Sequence, residues 1–310
     1  MSDKPIICLG SALWDTILQV DHIPSHGGKI LPTVAVQAAS GMATVAAVTI
    51  ARLGGRVSLW SRIGDDPVGQ MFLEDLAHEG VDTTAVRRQP HVRTPFSTIL
   101  VDRNGERLVV PYFDPNLDTD TASLPLHEVA GAGAVLCDMR WTQGAARLFE
   151  EARQHGVPAI LDADVAPVDD LRFMMPLADH VLLSEPALHS LSDAVLPEDA
   201  LKEVAATLNA SVVGVTLGAR GSIIWEKGDH GGTVRHFPTI KIRAVDTLNA
   251  GDVWHGTYAY GMTRGWSLET TVRAASVAAA MKCEHFGGRA GAPRWQELEE
   301  RLGATEHQWC

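Results

Sequence analysis

The chain has 310 residues, enough for one large α/β unit or two small ones with a substantial core. Apolar residues make up 45% of it and charged residues 21%, as in an ordinary soluble globular enzyme. A net charge of −12 excludes a non-specific nucleic-acid or membrane-surface binder, since both need a basic face, yet local arginines and lysines can still hold an anionic substrate.

The opening "MSDKPIICLGSALWD" has no basic stretch followed by a long apolar one, and no segment nears the ~20 apolar residues of a membrane span. Cys8, Cys137, Cys283 and Cys310 are scattered, without a CxxC pair, which reads as reduced thiols in a cytoplasmic protein with no zinc site. "PIICLGSA" reads as a buried first strand. "DTILQV" and "KILPTVAVQA", separated by the turn-like "IPSHGG", are β-rich and read as strands outside the main sheet. "SGMATVAAVTIARLGG" is a closely packed helix that stops at Gly54-Gly55.

"RVSLWSRIG" is a strand, and "DDPVGQMFLEDLAHEGV" a helix with Pro67 at its start and Gly80 at its end. "TPFSTILVDRNGERLVVPYF" is a hairpin turning at Asn104-Gly105. Strand and helix patterns then alternate: "AVLCDM", "GAARLFEEARQHG", "PAILDAD", "DHVLLSE", a helix around "EDALKEVAATLNA", and "SVVGVTLGARG". Such alternation predicts an α/β fold, a mostly parallel sheet covered on both faces. The two β excursions, at about 13–40 and 94–113, predict a small β lid inserted in one domain spanning 1–310.

Chemistry concentrates in "DTLNAGDVWHG". Apolar residues at helical spacing follow it, so Ala250, Gly251 and Asp252 lie at a helix N-terminus, where backbone N–H groups lack intrahelical partners and the dipole favours anions. Asn249 can adopt the left-handed conformation such a turn needs. A carboxylate there can take a proton from a hydroxyl beside donors for a developing phosphate charge, as phosphoryl transfer requires. The plain alternative is an acidic first-turn residue with a glycine present for packing. Upstream, "TLGARGS" carries glycines that let backbone amides face a polyphosphate. There is no GxxxxGK[ST] loop, and no GxGxxG after the first strand, which disfavours P-loop kinases and Rossmann oxidoreductases. The thirteen histidines lack metal-ligand spacing. Arg289 in "GGRAG" either faces a ligand or braces its loop. Trp254 and Cys283 read as core.

The chain resembles the PfkB (ribokinase-like) carbohydrate kinases. "DTLNAGDVWHG" is similar to that family's DTxGAGDxFxG signature, "GSALWD" to its opening GxxxxD, "RIGDDPVG" to its GxDxxG segment, and "SGMATVAAVTIARLGG" to its N-terminal signature. The likeness runs in order along the whole chain. It implies a ribokinase-like fold and an ATP- and Mg²⁺-dependent sugar kinase, with a monovalent cation such as K⁺ as a further cofactor. By the same resemblance Asp252 is the base, and Asn249, Ala250 and Gly251 build the anion hole. Thr216, Gly218, Gly221, Asp246, Thr247 and Gly288 lie on the nucleotide side, Asp15 and Gly41 on the sugar side, and paired lids make a homodimer.

Three positions depart from the pattern. Asn249 stands for the signature glycine. The usual GGxxxN reads Ala39-Ser40-Gly41-Met42-Ala43-Thr44, without its Asn. NxxE reads Ser184-Glu185-Pro186-Ala187, leaving Glu185 as the acidic candidate near magnesium. Within the family, "DMRWTQGA", "LDADVAP", "LSEPAL", "MKCEHFGGRAGAP" and Lys29 in "HGGKI" resemble the sulfofructose kinases. That likeness implies 6-deoxy-6-sulfofructose as substrate, phosphorylated at its 1-hydroxyl, with Arg140 and Lys29 on the sulfonate. Pro111, where those enzymes carry Asn in the second lid strand, argues against it. Lys29 reads equally well as a solvated charge, and Arg140 as a partner of Asp138 or Asp164. Other fructose-, ribose- or acidic-sugar kinases, a nucleoside kinase and a non-catalytic sugar- or nucleotide-binding protein remain as rivals.

Overall fold

The computed structural model describes residues 4–229 and 231–305, so Cys310 lies outside the described residues. The elements follow in chain order: β1 Ile6–Leu9, β2 Leu13–Gln19, β3 Val34–Ser40, α1 Met42–Arg52, β4 Val57–Gly64, α2 Pro67–His78, β5 Val86–Gln89, β6 Phe96–Val101 and β7 Arg107–Tyr112. Then come β8 Ala134–Cys137, α3 Thr142–His155, β9 Ala159–Ala163, α4 Val168–Met174, β10 His180–Ser184, α5 Glu185–Leu191, α6 Pro197–Ala206 and β11 Val212–Thr216. The last group is β12 Ser222–Gly228, β13 Gly231–Phe237, α7 Ala250–Thr263, α8 Leu268–Cys283 and α9 Trp295–Thr305.

The large sheet has the order β13-β12-β11-β10-β9-β8-β1-β4-β5, parallel from β11 to β5, with β12 and β13 antiparallel at one edge. Its central strands are wholly buried, as near-continuous apolar runs such as "IICL" and "AVLC" require when helices cover both faces. One face packs against α1, α2, α7, α8 and α9, the other against α3, α4, α5 and α6. The edge hairpin β12–β13 and the short elements β5, α4 and α5 were not apparent from sequence pattern.

The chain runs outward from β1 through β4 to β5, then returns to β8 on the other side of β1 and continues through β9 to β11. The strand order therefore reverses between β1 and β8. In an open parallel sheet such a reversal leaves a crevice beyond the carboxyl ends of the strands.

The two β excursions form a separate four-stranded sheet, β3-β2-β6-β7, inside the expected segments. Its inner face buries Ile17, Ile99 and Val101 against Leu248, so the small sheet rests on the segment leading into α7. Its outer strand β7 is exposed throughout. Among the described residues no helix is long and apolar enough to cross a membrane. Cys8, Cys137 and Cys283 are free and buried.

Candidate active site

The crevice at the reversal opens into a cleft of about 1110 Å³, lined by strand ends, the small sheet and the start of α7. Asp138, just past β8, organises one wall. Its Oδ2 accepts from Ser11 N at 2.8 Å, Ser11 Oγ at 2.7 Å and Ala43 N at 3.0 Å, and its Oδ1 from Arg140 N at 2.8 Å. One carboxylate thus joins the end of β1, the start of α1 and the turn carrying Arg140. Gly41, before α1, has φ 111, and a Cβ there would lie 2.4 Å from Ser11 O, so only glycine fits this wall. Thr44, at the position of the missing Asn, is buried and donates to Ser11 O at 2.8 Å, away from the cleft.

Asp15 on β2 lines the cleft though only 3% exposed, and Ser97 on the paired strand β6 donates to its Oδ1. Burial raises its pKa; the Ser40 and Ser97 hydroxyls and the Arg289 charge oppose that rise. Arg107, Val109 and Pro111 of β7 face the same space, and Arg107 donates to Thr247 Oγ1. The small sheet is thereby tied to the loop before α7.

That loop behaves as its sequence predicts. Asn249 is left-handed at φ 62 and ψ 13, and the first intrahelical bond runs from Val253 N to Asn249 O at 3.0 Å. The amides of Gly251 and Asp252 precede it and stand at the cleft. A Cβ on Gly251 would meet nothing within 4 Å, so the space in front of these amides is open. Asn249 adds something a glycine could not: its Nδ2 donates to Asp252 Oδ2 at 2.7 Å. Asn249 Oδ1 is buried without a partner.

Asp252 is 9% exposed. Burial, then the neighbouring Asp162, push its pKa up to about 7, against the pull of Asn249 and His255. Asp162, on β9, is pushed well up by burial and by Asp164 and Asp138, so the two neighbouring carboxyls both resist ionising. His255 sits between them, with Nδ1 2.8 Å from Gly251 O and 3.3 Å from Asp162 Oδ2. Burial lowers its pKa, so it is neutral there and donates to the Gly251 carbonyl.

Of the other residues singled out from sequence, Thr216, Gly218, Thr247, Ala250 and Arg140 line the cleft. Arg140 Nη1 donates to Val165 O at 3.1 Å, and its side chain pairs with neither Asp138 nor Asp164. Four residues stand elsewhere. Lys29 is exposed on the small sheet's loop and lines no part of the cleft. Gly221, at φ 86, lies where a Cβ would come 2.0 Å from Phe237 O, so its place is against β13. Gly288 and Asp246 lie behind the cleft: Asp246 is 0% exposed, and its Oδ2 accepts from Gly287 N at 3.0 Å and Gly288 N at 2.9 Å. Arg289 braces its loop, donating to Ala39 O at 2.6 Å, to Glu79 at 2.7 Å and to Asp75.

Pattern reading missed Asp162, Asp164, His255 and Arg62. The alternating aspartates of "LDADVAP" at a strand's carboxyl end were a usable signal for the first two. Arg62 is buried flat on Trp141 at 4.0 Å and donates to Asp118 O at 2.6 Å, so its own neighbours hold it at the cleft wall.

Among the described residues no group of three His, Cys, Asp or Glu could hold a metal. Glu185 pairs with Arg220 rather than facing the cleft. Asp164, partly exposed, is among the carboxylates at the lining. This sparse set fits a magnesium that arrives on phosphates and keeps its waters, not a resident cage.

A model of the pfkB family carbohydrate kinases matches residues 3–295. A ribokinase of Bacillus subtilis is 26% identical over 96% of this chain and 99% of its own, and a fructokinase of Escherichia coli 29% identical over 90% and 95%. Among solved structures, a provisionally named ribokinase from Agrobacterium tumefaciens is 42% identical, with a TM-score of 0.93 over 97% of this chain and 98% of that one. Arabidopsis thaliana ribokinase, solved with ribose and ATP, shares the fold at a TM-score of 0.82 and 24% identity, over 96% of this chain and 98% of that one. With a catalytic-signature loop at the mouth of a ribokinase-like sheet and a match over nearly its whole length, the chain belongs to the pfkB family of carbohydrate kinases, phosphotransferases with an alcohol group as acceptor.

Proposed function

We propose that residues 1–310 form one ATP-dependent kinase domain that phosphorylates a primary hydroxyl of a sugar bearing an anionic group, with 6-deoxy-6-sulfofructose giving its 1-phosphate as the specific candidate. The observation that carries the kinase chemistry is Asp252. One of its oxygens is held by Asn249, and it lies at the open N-terminus of α7 in the same cleft as Asp15. Asp15 takes sugar hydroxyls, and Gly41 leaves room for the ring. Asp252 removes the hydroxyl proton as the sugar oxygen bonds to the γ-phosphorus and the bond to ADP breaks. The amides of Ala250, Gly251 and Asp252 face the charge that develops. Thr216 and Gly218 stand on the nucleotide side. The small sheet acts as a lid over residues 13–40 and 94–113, and its closure keeps water from the γ-phosphate. Magnesium, when bound with the nucleotide, neutralises phosphate charge; Asp164 would face it, and Glu185 could do so only by leaving Arg220.

The anionic end is supported by Arg140, whose guanidinium reaches the lining and makes a single neutral contact there. A guanidinium fork suits a tetrahedral oxyanion. A second reading, a neutral ketose or pentose, is favoured by Pro111 at the cleft wall and by the outlying Lys29. The exposed Leu108, Val110 and Tyr112 of β7, with Leu31 nearby in sequence to β3, support a homodimer through the lids, and we place the enzyme in the cytoplasm.

The test is ATP consumption with sulfofructose, fructose, fructose 6-phosphate and ribose side by side, for the wild type and Arg140→Ala. Turnover confined to the sulfosugar and lost in the variant supports the anionic reading. Turnover on neutral sugars, indifferent to Arg140, replaces it with the second. No turnover on any sugar overturns the assignment for this panel.

A further inference from the structure

Lys282 is a lysine with no exposed surface, in the last turn of α8. Its Nζ donates to the Asp246 backbone carbonyl at 2.6 Å and lies 3.3 Å from Asp246 Oδ2. The end of α8 is joined to the same place a second way, since Val245 N and Asp246 N both donate to Cys283 O, at 2.7 and 3.2 Å. Asp246 opens the loop that ends at the anion hole, and its Oδ1 accepts from Leu248 N at 2.8 Å, fixing the first turn of that loop.

This arrangement decides how the chain fits a monovalent cation. A cation that steadies the anion hole from outside the cleft needs a buried carboxylate and carbonyl oxygens behind residues 247–251. Asp246 is the buried carboxylate there. Its oxygens already receive Leu248, Gly287 and Gly288 amides, and an ammonium lies against its carboxylate and its carbonyl. An ammonium group and a potassium ion are close in size and charge, so the two compete for one place. The residues do not fit a free ion.

We propose that Lys282 is a built-in cation that braces the anion-hole loop in place of a bound monovalent ion, so that this kinase works without potassium. The charge logic is local. An unneutralised Asp246 carboxylate directly behind the loop would oppose the positive potential its amides offer to phosphate. A mobile ion supplies that neutralisation only when bound, whereas a protonated lysine is held there by the chain itself; burial lowers its pKa and Asp246 opposes that fall. Lys282 touches neither sugar nor nucleotide, so it is a positioning residue. The inference rests on the kinase reading, because it assigns the support behind that reading's anion hole.

The experiment compares wild type, Lys282→Ala and Lys282→Met in chloride salts of potassium, sodium, ammonium and tetramethylammonium at equal ionic strength. It reads both turnover and thermal midpoint without substrates. The wild type is expected to keep its rate within about twofold across the four salts, and its midpoint should not rise in potassium over tetramethylammonium. Lys282→Ala, with room for an ion, is expected to lose about tenfold or more in kcat and to regain several-fold in potassium or ammonium but not in tetramethylammonium. Lys282→Met, with the space filled, should lose rate without rescue. Potassium stimulation of the wild type by about tenfold, or a potassium-specific rise in its midpoint, overturns the proposal. So does Lys282→Ala with full rate in tetramethylammonium. Should neither variant fold, the wild-type salt series still decides. Should no salt give turnover, the kinase reading fails separately, and the midpoints alone test the ion.

Discussion

Two aspartates six residues apart, Asp246 and Asp252, are both hidden, yet the molecule treats them in opposite ways. Asp246 has every oxygen partnered, by three backbone amides and an ammonium. Asp252 has one recorded hydrogen-bond donor, Asn249, and a second carboxyl, Asp162, pressing on it. Burial alone therefore says little about role. A buried carboxylate with all its partners is a fastening, and one short of partners beside open space is a reactive group.

The sharpest way to break the comparison is Asp252→Asn. Turnover should fall by about 10²–10⁴-fold, with nucleotide binding retained by calorimetry. With the wild type, kcat/KM should rise with pH through about 7, because the free enzyme's base must lose its proton. The stability sign runs the other way. A raised folded-state pKa costs the fold stability as pH climbs from the ordinary carboxylate range to about 7. Asp252→Asn should therefore raise the thermal midpoint more at about pH 8 than at about pH 5.

Asp246→Ala should do the reverse, destabilising by about 3–5 kcal/mol because it leaves the buried Lys282 without its counter-charge, as denaturant titration would read. Adding Lys282→Met to it should restore part of that stability. A smaller effect separates stability from activity more cleanly. Gly251→Ala adds a methyl group into open space, so the fold should hold, yet kcat/KM should drop on the order of 10²-fold by displacing the phosphate. The least effect belongs to Asn249→Gly. It relieves a left-handed cost of roughly 1–2 kcal/mol and removes the donor on Asp252. The ascending pH limb should move upward, with little change in maximal rate.

Much of this was legible beforehand. Alternating strand and helix patterns gave the large sheet, and the β-rich segments outside that rhythm gave the lid, because both signals are local. Asn249 was readable from the left-handed conformation its turn demands. The resemblance puts Asp246 on the nucleotide side, whereas the structure buries it away from the cleft lining, and Lys282 in "SVAAAMKC" gives no signal, because a lysine in a helix's last turn looks solvated. The carbonyl it donates to lies 36 positions away, which no periodicity encodes. His255 was hidden in the signature itself, since it lies on α7 and its neighbour Asp162 on the distant strand β9. The edge hairpin β12–β13 was missed because its strands are half-buried and lack the apolar runs of the central sheet.

Arg289 and Arg52 tie residues near 290 to β3, α1 and α2, across separations of up to 250 positions. Glu79 between them is held down to about 2 by both guanidiniums despite its burial. The consequence concerns biosynthesis. On a growing chain the first wall of the cleft, from β1 to α2, emerges early and must wait for the last sixth of the sequence before its arginine locks can close. Folding dominated by such distant pairings is slow, and the half-built wall presents β-rich surface in the meantime. The chain's need for chaperone help should therefore be concentrated before residues 289–292, which follow α8, leave the ribosome.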